Sequence, residues 1–276
     1  MASSRSWLKG CALGCGGLIL LTILGLVIMA VILSISGGKT IKARQKLETA
    51  CGAAADFTPW PDGRVPPDRL ERYVAVRREL FPRCAAFMTA ADKFRVMAAL
   101  DSIPEDERPS GRQLMNGVGR ALGGMLTIVA NLNAYLLQRN QLLLEHEMSL
   151  AEWTYLHVMI YYAYLGNDPR PFVLEEEHDV ARVYTTRVRG EIRDMIARHV
   201  EDPLAAARDP DLAQWVEELK RLREDPERIP FRGDLPPRLQ ASLLPFRADL
   251  ESVWCPATDE VDLSITTREG PGFEHI

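Results

Sequence analysis

Two kinds of apolar pattern run along this chain. The first is continuous. Gly16 to Ile35 gives 20 nearly unbroken apolar positions, interrupted by Thr22, Gly25 and Ser34 and flanked by the charges of Lys9 and Lys39. At 1.5 Å per residue that run forms a helix about 30 Å long, the thickness of a bilayer core. Ser34, Ser36 and Gly37 could form a small-x-small signal cleavage site. A signal h-region is only about 7 to 15 residues long, however, and this run exceeds it. The pattern therefore predicts a single uncleaved transmembrane helix at 16–36, behind a short basic tail at 1–15.

The second pattern is helical and fills the rest of the chain. A juxtamembrane helix is expected at Thr40 to Ala54, followed by a Pro-rich loop that closes the 37–66 region. After Pro66 and Pro67, Leu70, Val74, Phe81, Cys84, Met88 and Ala91 fall on one helical face, with Pro82 dividing or kinking the helix. Leu114, Val118, Ala121, Met125, Ile128, Leu132, Tyr135, Arg139, Leu142 and His146 alternate at spacings of 4 and 3, a heptad seam interrupted by Arg139. Gly119 and Gly123 make a G-x-x-x-G, but Arg120, Asn131 and Asn133 argue against a second span there. Ser149 and Glu152 form a capping box, so the seam helix should fold back as a hairpin onto a nearly all-apolar helix, Leu150 to Leu165. Further helices are expected at Phe172 to Val200, Asp209 to Glu224 and Pro236 to Trp254. The prediction is an all-α chain: the membrane helix, then a bundle domain of about six to seven helices at 67–254. An acidic, flexible tail is expected at 255–276. Gly63, Pro66, Pro67, Arg77 and Leu80 recur 170 residues later as Gly233, Pro236, Pro237, Arg247 and Leu250. Proline is favoured in the first turn of a helix, so similar helix starts explain that echo better than a repeat does.

Charge and cysteine content then narrow the function. The chain is 47% hydrophobic with a net charge of -5, which excludes a low-hydrophobicity disordered class. Residues 37–276 carry 31 basic and 38 acidic side chains, an excess of acid that argues against a nucleic-acid partner. Orientation is open on charge alone. Lys39, Lys42, Arg44 and Lys46 outnumber the basic residues before the span and favour a cytoplasmic C-terminal domain. A short basic tail before an apolar helix is nevertheless the form of a signal anchor, so the domain is read as extracytoplasmic, with cytoplasmic as the alternative. Cys51, Cys84 and Cys255 allow at most one intramolecular disulfide within the domain and leave its pairing undecided.

The anchor together with Lys9 to Gly17, KGCALGCGG, resembles the opening of many uncharacterised single-pass membrane-anchored proteins of high-GC bacteria, and 27 Arg against 6 Lys suits such a genome. The resemblance covers about a tenth of the chain and implies a bacterial source and no activity.

Candidate chemistry is sparse. Glu175 and His178 make one E-x-x-H where a di-iron bundle needs two, and Glu145, His146 and Glu147 read as an exposed helix end, so no metal or other cofactor is expected. H-E-x-x-H, G-x-S-x-G, C-x-x-C and a phosphate loop are absent from the sequence. The notable cluster is Trp153, His157, Tyr161 and Tyr164 at i, i+4, i+8 and i+11, with Glu152 beside it. A packed aromatic face accounts for it. The alternative is a ligand or partner groove lined by rings, with His157 as its titratable group. The leading functional expectation is a non-catalytic interaction or scaffold module with the lipid bilayer and a protein as partners. An enzyme or small-ligand-binding domain using helix 150–165 is the alternative.

Overall fold

The computed structural model describes residues 38–52, 57–89, 127, 130–169 and 178–264. The expected membrane span at 16–36, the basic tail, the G-x-x-x-G, the upstream part of the heptad seam and Glu175 lie outside those residues. Among the described residues the structure is helical, without strands, and no helix is long and apolar enough to cross a membrane.

Helix α1 covers 38–51, and its Leu47 is buried in the core. Residues Phe57 to Pro66 then cross the domain in a loop whose Asp62-Gly63 turn places Gly63 at φ 68°. Helix α2, Pro67–Leu80, begins on proline, whose missing N–H costs nothing in the first turn, and buries Leu70, Tyr73, Val74, Val76, Arg77 and Leu80. Pro82 divides the helix as its ring requires. The chain turns at Phe81 and resumes as α3, 82–89. That break corrects the single-face expectation: Phe81 and Met88 are 41% and 40% exposed, while Cys84 stays half-buried.

Helix α4, 130–145, ends in a tight reversal. The N–H of Met148 reaches the carbonyl of Leu143 (2.9 Å) and that of Glu147 the carbonyl of Leu144 (3.2 Å), with Glu147 at φ 50°. This is a Schellman ending with glutamate at the left-handed position that glycine fills without strain. Its own side chain holds only an exposed pair with Arg72. Glu147→Gly should therefore raise stability by about 0.5–1 kcal/mol, read as a shifted urea midpoint at unchanged slope.

Ser149 caps the next helix by accepting the N–H of Glu152 (3.1 Å). The reciprocal arm of the box does not form, because the Glu152 carboxylate turns to Arg69 instead. Helix α5, Leu150–His157, is buried along its whole length and continues as a π-helical segment, Val158–Tyr164. Helix α6, His178–Glu201, follows, then α7, Pro203–Arg208, and α8, Leu212–Glu224. Beyond the Gly233 turn come α9, Pro237–Leu243, a 3-10 turn, Leu244–Phe246, and α10, Arg247–Ser252.

The 170-residue echo is real only as local structure. Gly63 and Gly233 both have positive φ, and Pro66 and Pro236 both stand at the N-cap. After that the copies diverge: α9 ends at Leu243, and Arg77 is buried whereas Arg247 is exposed.

The largest departure from the sequence reading is at the C-terminal end. Residues 255–264 are not a flexible tail. Cys255, Ala257, Thr258, Asp259, Val261, Asp262 and Leu263 are buried, and α11, Asp259–Ser264, packs against both α5 and α6. The segment is held because its carboxylates have internal partners, Arg77 for Asp262 and His157 with Tyr162 for Asp259. Residues 265–276 lie outside the described residues.

Candidate functional site

Helix α5 and its π extension bring four of the five singled-out side chains into the interior. Trp153, His157 and Tyr161 are fully buried, Glu152 is 5% exposed, and Tyr164 is partly buried at the edge of the core. The Tyr73 ring lies 4.8 Å from Trp153 and 6.5 Å from Tyr161. The Arg77 guanidinium sits over both Trp153 and Tyr161, at 5.7 and 5.2 Å from their ring centroids. Tyr161 also stacks on Trp254 at 4.3 Å, and its hydroxyl donates to the Leu250 carbonyl. Tyr164 stands apart, under the guanidinium of Arg247.

Glu152 does not join this set. Arg69 grips both its oxygens, and the same guanidinium donates to the Glu147 carbonyl. Burial pushes the Glu152 carboxyl above its ordinary value, against the pull of Arg69. The pair ties α2 to the first turn of α5.

His157 faces α11. Its Nε2 meets Asp259 Oδ1 at 2.8 Å, and the Tyr162 hydroxyl donates to the same oxygen at 2.7 Å. The other ring nitrogen, Nδ1, is buried and has no hydrogen-bond partner. A nucleophilic relay through His157 needs a hydroxyl or thiol on that nitrogen, and none lies there among the described residues.

One helical turn away, Asp262 organises a second cluster. It accepts from Arg77, from the Tyr135 hydroxyl and from Thr258 Oγ1, the last at 3.3 Å. Arg77 also donates to the Val253 carbonyl, and Arg139 donates to the carbonyls of Val261 and Asp262. The side chains of Arg77, Arg139, Tyr135 and Asp262 are all buried. Burial alone would lower the Arg77 guanidinium, but Tyr161 and Asp262 overcome it and hold the group well above its usual value. Among the described residues Arg139 has no carboxylate bonded to it, and burial draws its guanidinium down. Burial together with the neighbouring carboxylates pushes the phenols of Tyr135 and Tyr162 up, so both remain donors.

Sequence reading missed most of this. Arg139 did leave a signal: it was the one charge in an otherwise suitable seam, and its buried guanidinium fills that position by binding α11 carbonyls. Asp259 and Asp262 left none, since an acidic stretch near the end of a chain reads as solvated. A further pair was also unread. His199 Nε2 meets Asp209 Oδ2 at 2.9 Å, both side chains are buried, and the imidazole stacks on Trp215. Gly63 passes so close that a Cβ there would lie 2.5 Å from Asp209 Oδ2.

Comparison with protein-family models, with curated proteins and with solved structures finds no match. What the interior groups do must be read from their geometry. Among the described residues, no cluster of His, Cys, Asp and Glu is arranged to hold a metal ion. The buried ionisable groups join distant parts of the chain, α2 and α4 to α11 and α5 to α11. His157→Phe should therefore act on stability: it keeps a ring but leaves Asp259 with one donor fewer, at a cost of about 1–3 kcal/mol in chemical unfolding. His157→Gln, which can still donate, should lose less.

Proposed function

We propose that this chain is a single-pass membrane protein whose helical domain stands on the extracytoplasmic side and acts as a non-catalytic interaction or scaffold module. The observation that carries the reading is where the chemistry-bearing side chains lie. His157, Asp259, Asp262, Arg77 and Arg139 are enclosed, and they join α11 to α2, α4 and α5. An enzyme site needs such groups at a surface a substrate can reach. The span at 16–36 is the sequence's contribution to this reading. The disulfide between Cys84 and Cys255, 171 residues apart, supports the extracytoplasmic side, because such bonds persist in oxidising compartments. It also outweighs the juxtamembrane lysines as an orientation signal, since long domains translocate largely regardless of flanking charge.

Two measurements test the reading in a bacterial host expressing the full chain. In spheroplasts, external protease should remove the domain, and the acid-trapped chain should gain two maleimide labels on reduction. Protection from protease would place the domain in the cytoplasm. In a strain deleted for the gene, His157→Gln and Tyr162→Phe at normal abundance should complement as the parent does. Failure to complement by a fully folded variant would overturn the non-catalytic reading.

A further inference from the structure

Helix α1 begins three residues after the last apolar position of the 16–35 run, and its two faces differ sharply. Leu47 is buried in the core, Cys51 packs against it, and Arg44 turns to Glu48 on the half-buried flank. On the opposite face Lys39, Ile41, Lys42, Gln45, Lys46 and Thr49 are exposed. At 100° per residue, Lys39, Lys42 and Lys46 fall within about 60° of one another, so the three ammonium groups form a stripe about 10 Å long. Among the described residues none of the three has an ion-pair partner, and the one carboxylate of α1 itself, Glu48, is taken by Arg44.

We propose that this stripe lies on anionic phospholipid headgroups, so that α1 leaves the membrane tilted along its surface and presses Lys39, Lys42 and Lys46 onto the lipid. The inference rests on the span at 16–36. Charge complementarity and distance carry it from there. A helix rising straight from the bilayer would carry Lys46 about 16 Å beyond Ile35, outside the screening length of about 8–10 Å at physiological salt. A tilted helix keeps all three lysines inside that distance, where each is drawn to the charge of an anionic leaflet. Because Leu47 and Cys51 fix the inner face of α1 to the core, tilting α1 also fixes how the whole domain leans on the membrane.

The test uses the full chain in vesicles of phosphatidylcholine with about 30% phosphatidylglycerol, some lipid carrying a nitroxide headgroup, and a dansyl side chain introduced at Thr49. Flotation reports the anchor independently of the stripe. For chains that float, quenching at Thr49 should be about twofold or more above that in pure phosphatidylcholine. It should fall to the phosphatidylcholine level in the triple variant Lys39→Gln, Lys42→Gln, Lys46→Gln, and again in about 1 M salt. Equal quenching in parent and triple variant, with both chains floating, would overturn the lipid-facing stripe and leave the anchor standing. A chain that fails to float overturns the anchor and this proposal together.

Discussion

Asp262→Ala destabilises the domain by about 3–5 kcal/mol in equilibrium unfolding, because it leaves the buried Arg77 guanidinium without its carboxylate. The loss is larger than the truncated side chain's own contacts would give. Asp262 also accepts from Tyr135 and Thr258, so three buried donors lose a partner at once. Arg77→Met alone should cost a similar amount by stranding the carboxylate. The double variant Arg77→Met, Asp262→Leu should cost clearly less than the sum of the two, since it removes both charges and restores apolar volume. Additive losses, or a loss below about 1 kcal/mol for Asp262→Ala, would show that the α2–α11 link does not form.

Replacing both Cys84 and Cys255 with alanine should lower stability by about 3–5 kcal/mol. The bond closes a loop across 171 residues, near the upper end of what chain entropy can contribute. The parent chain should lose the same amount on addition of reductant, and the alanine variant should be indifferent to it. Equal unfolding midpoints for parent and variant under oxidising conditions would mean that the bond contributes nothing. The disulfide and the Asp262 cluster hold the same segment, so their losses should not add independently when combined.

The parts of this fold that were legible in sequence are those that local chemistry decides. Pro67 opens α2, Pro82 ends it, Ser149 caps α5, and the unbroken apolar character of Leu150 to Leu165 marks the interior. The heptad spacing puts Tyr135 and Leu142 inward, as they are, although Leu132 on the same seam is only partly buried and Arg139, which reads as an interruption of the seam, is buried too. What was not legible depends on partners far away along the chain. Asp262 is 185 residues from Arg77, and Asp259 is 102 from His157. No periodicity within a window of 15 or so residues encodes such a pairing, so two acids in a short segment read as solvated surface. The aromatic cluster packs in the interior: Trp153 and Tyr161 share Arg77, and His157 lies against Tyr161 and Trp254. Its tie to α11 was invisible until the distant residues were placed. Tyr164 fell outside the set, at the end of the π-helical segment, where its ring meets Arg247.

The pairing of Arg77 with Asp262 also sets an order in time. Synthesis proceeds at about 5–20 residues per second, so about 10–40 s separate the emergence of the arginine from that of its carboxylate. Through that interval α2 carries a cation that its helical neighbours cannot enclose without heavy desolvation, and Cys84 carries a thiol with no mate. The nascent domain can collapse locally but cannot close. Closure of the domain therefore waits for Asp262 and Cys255 to emerge, and during the wait the Cys84 thiol is open to mispairing with Cys51.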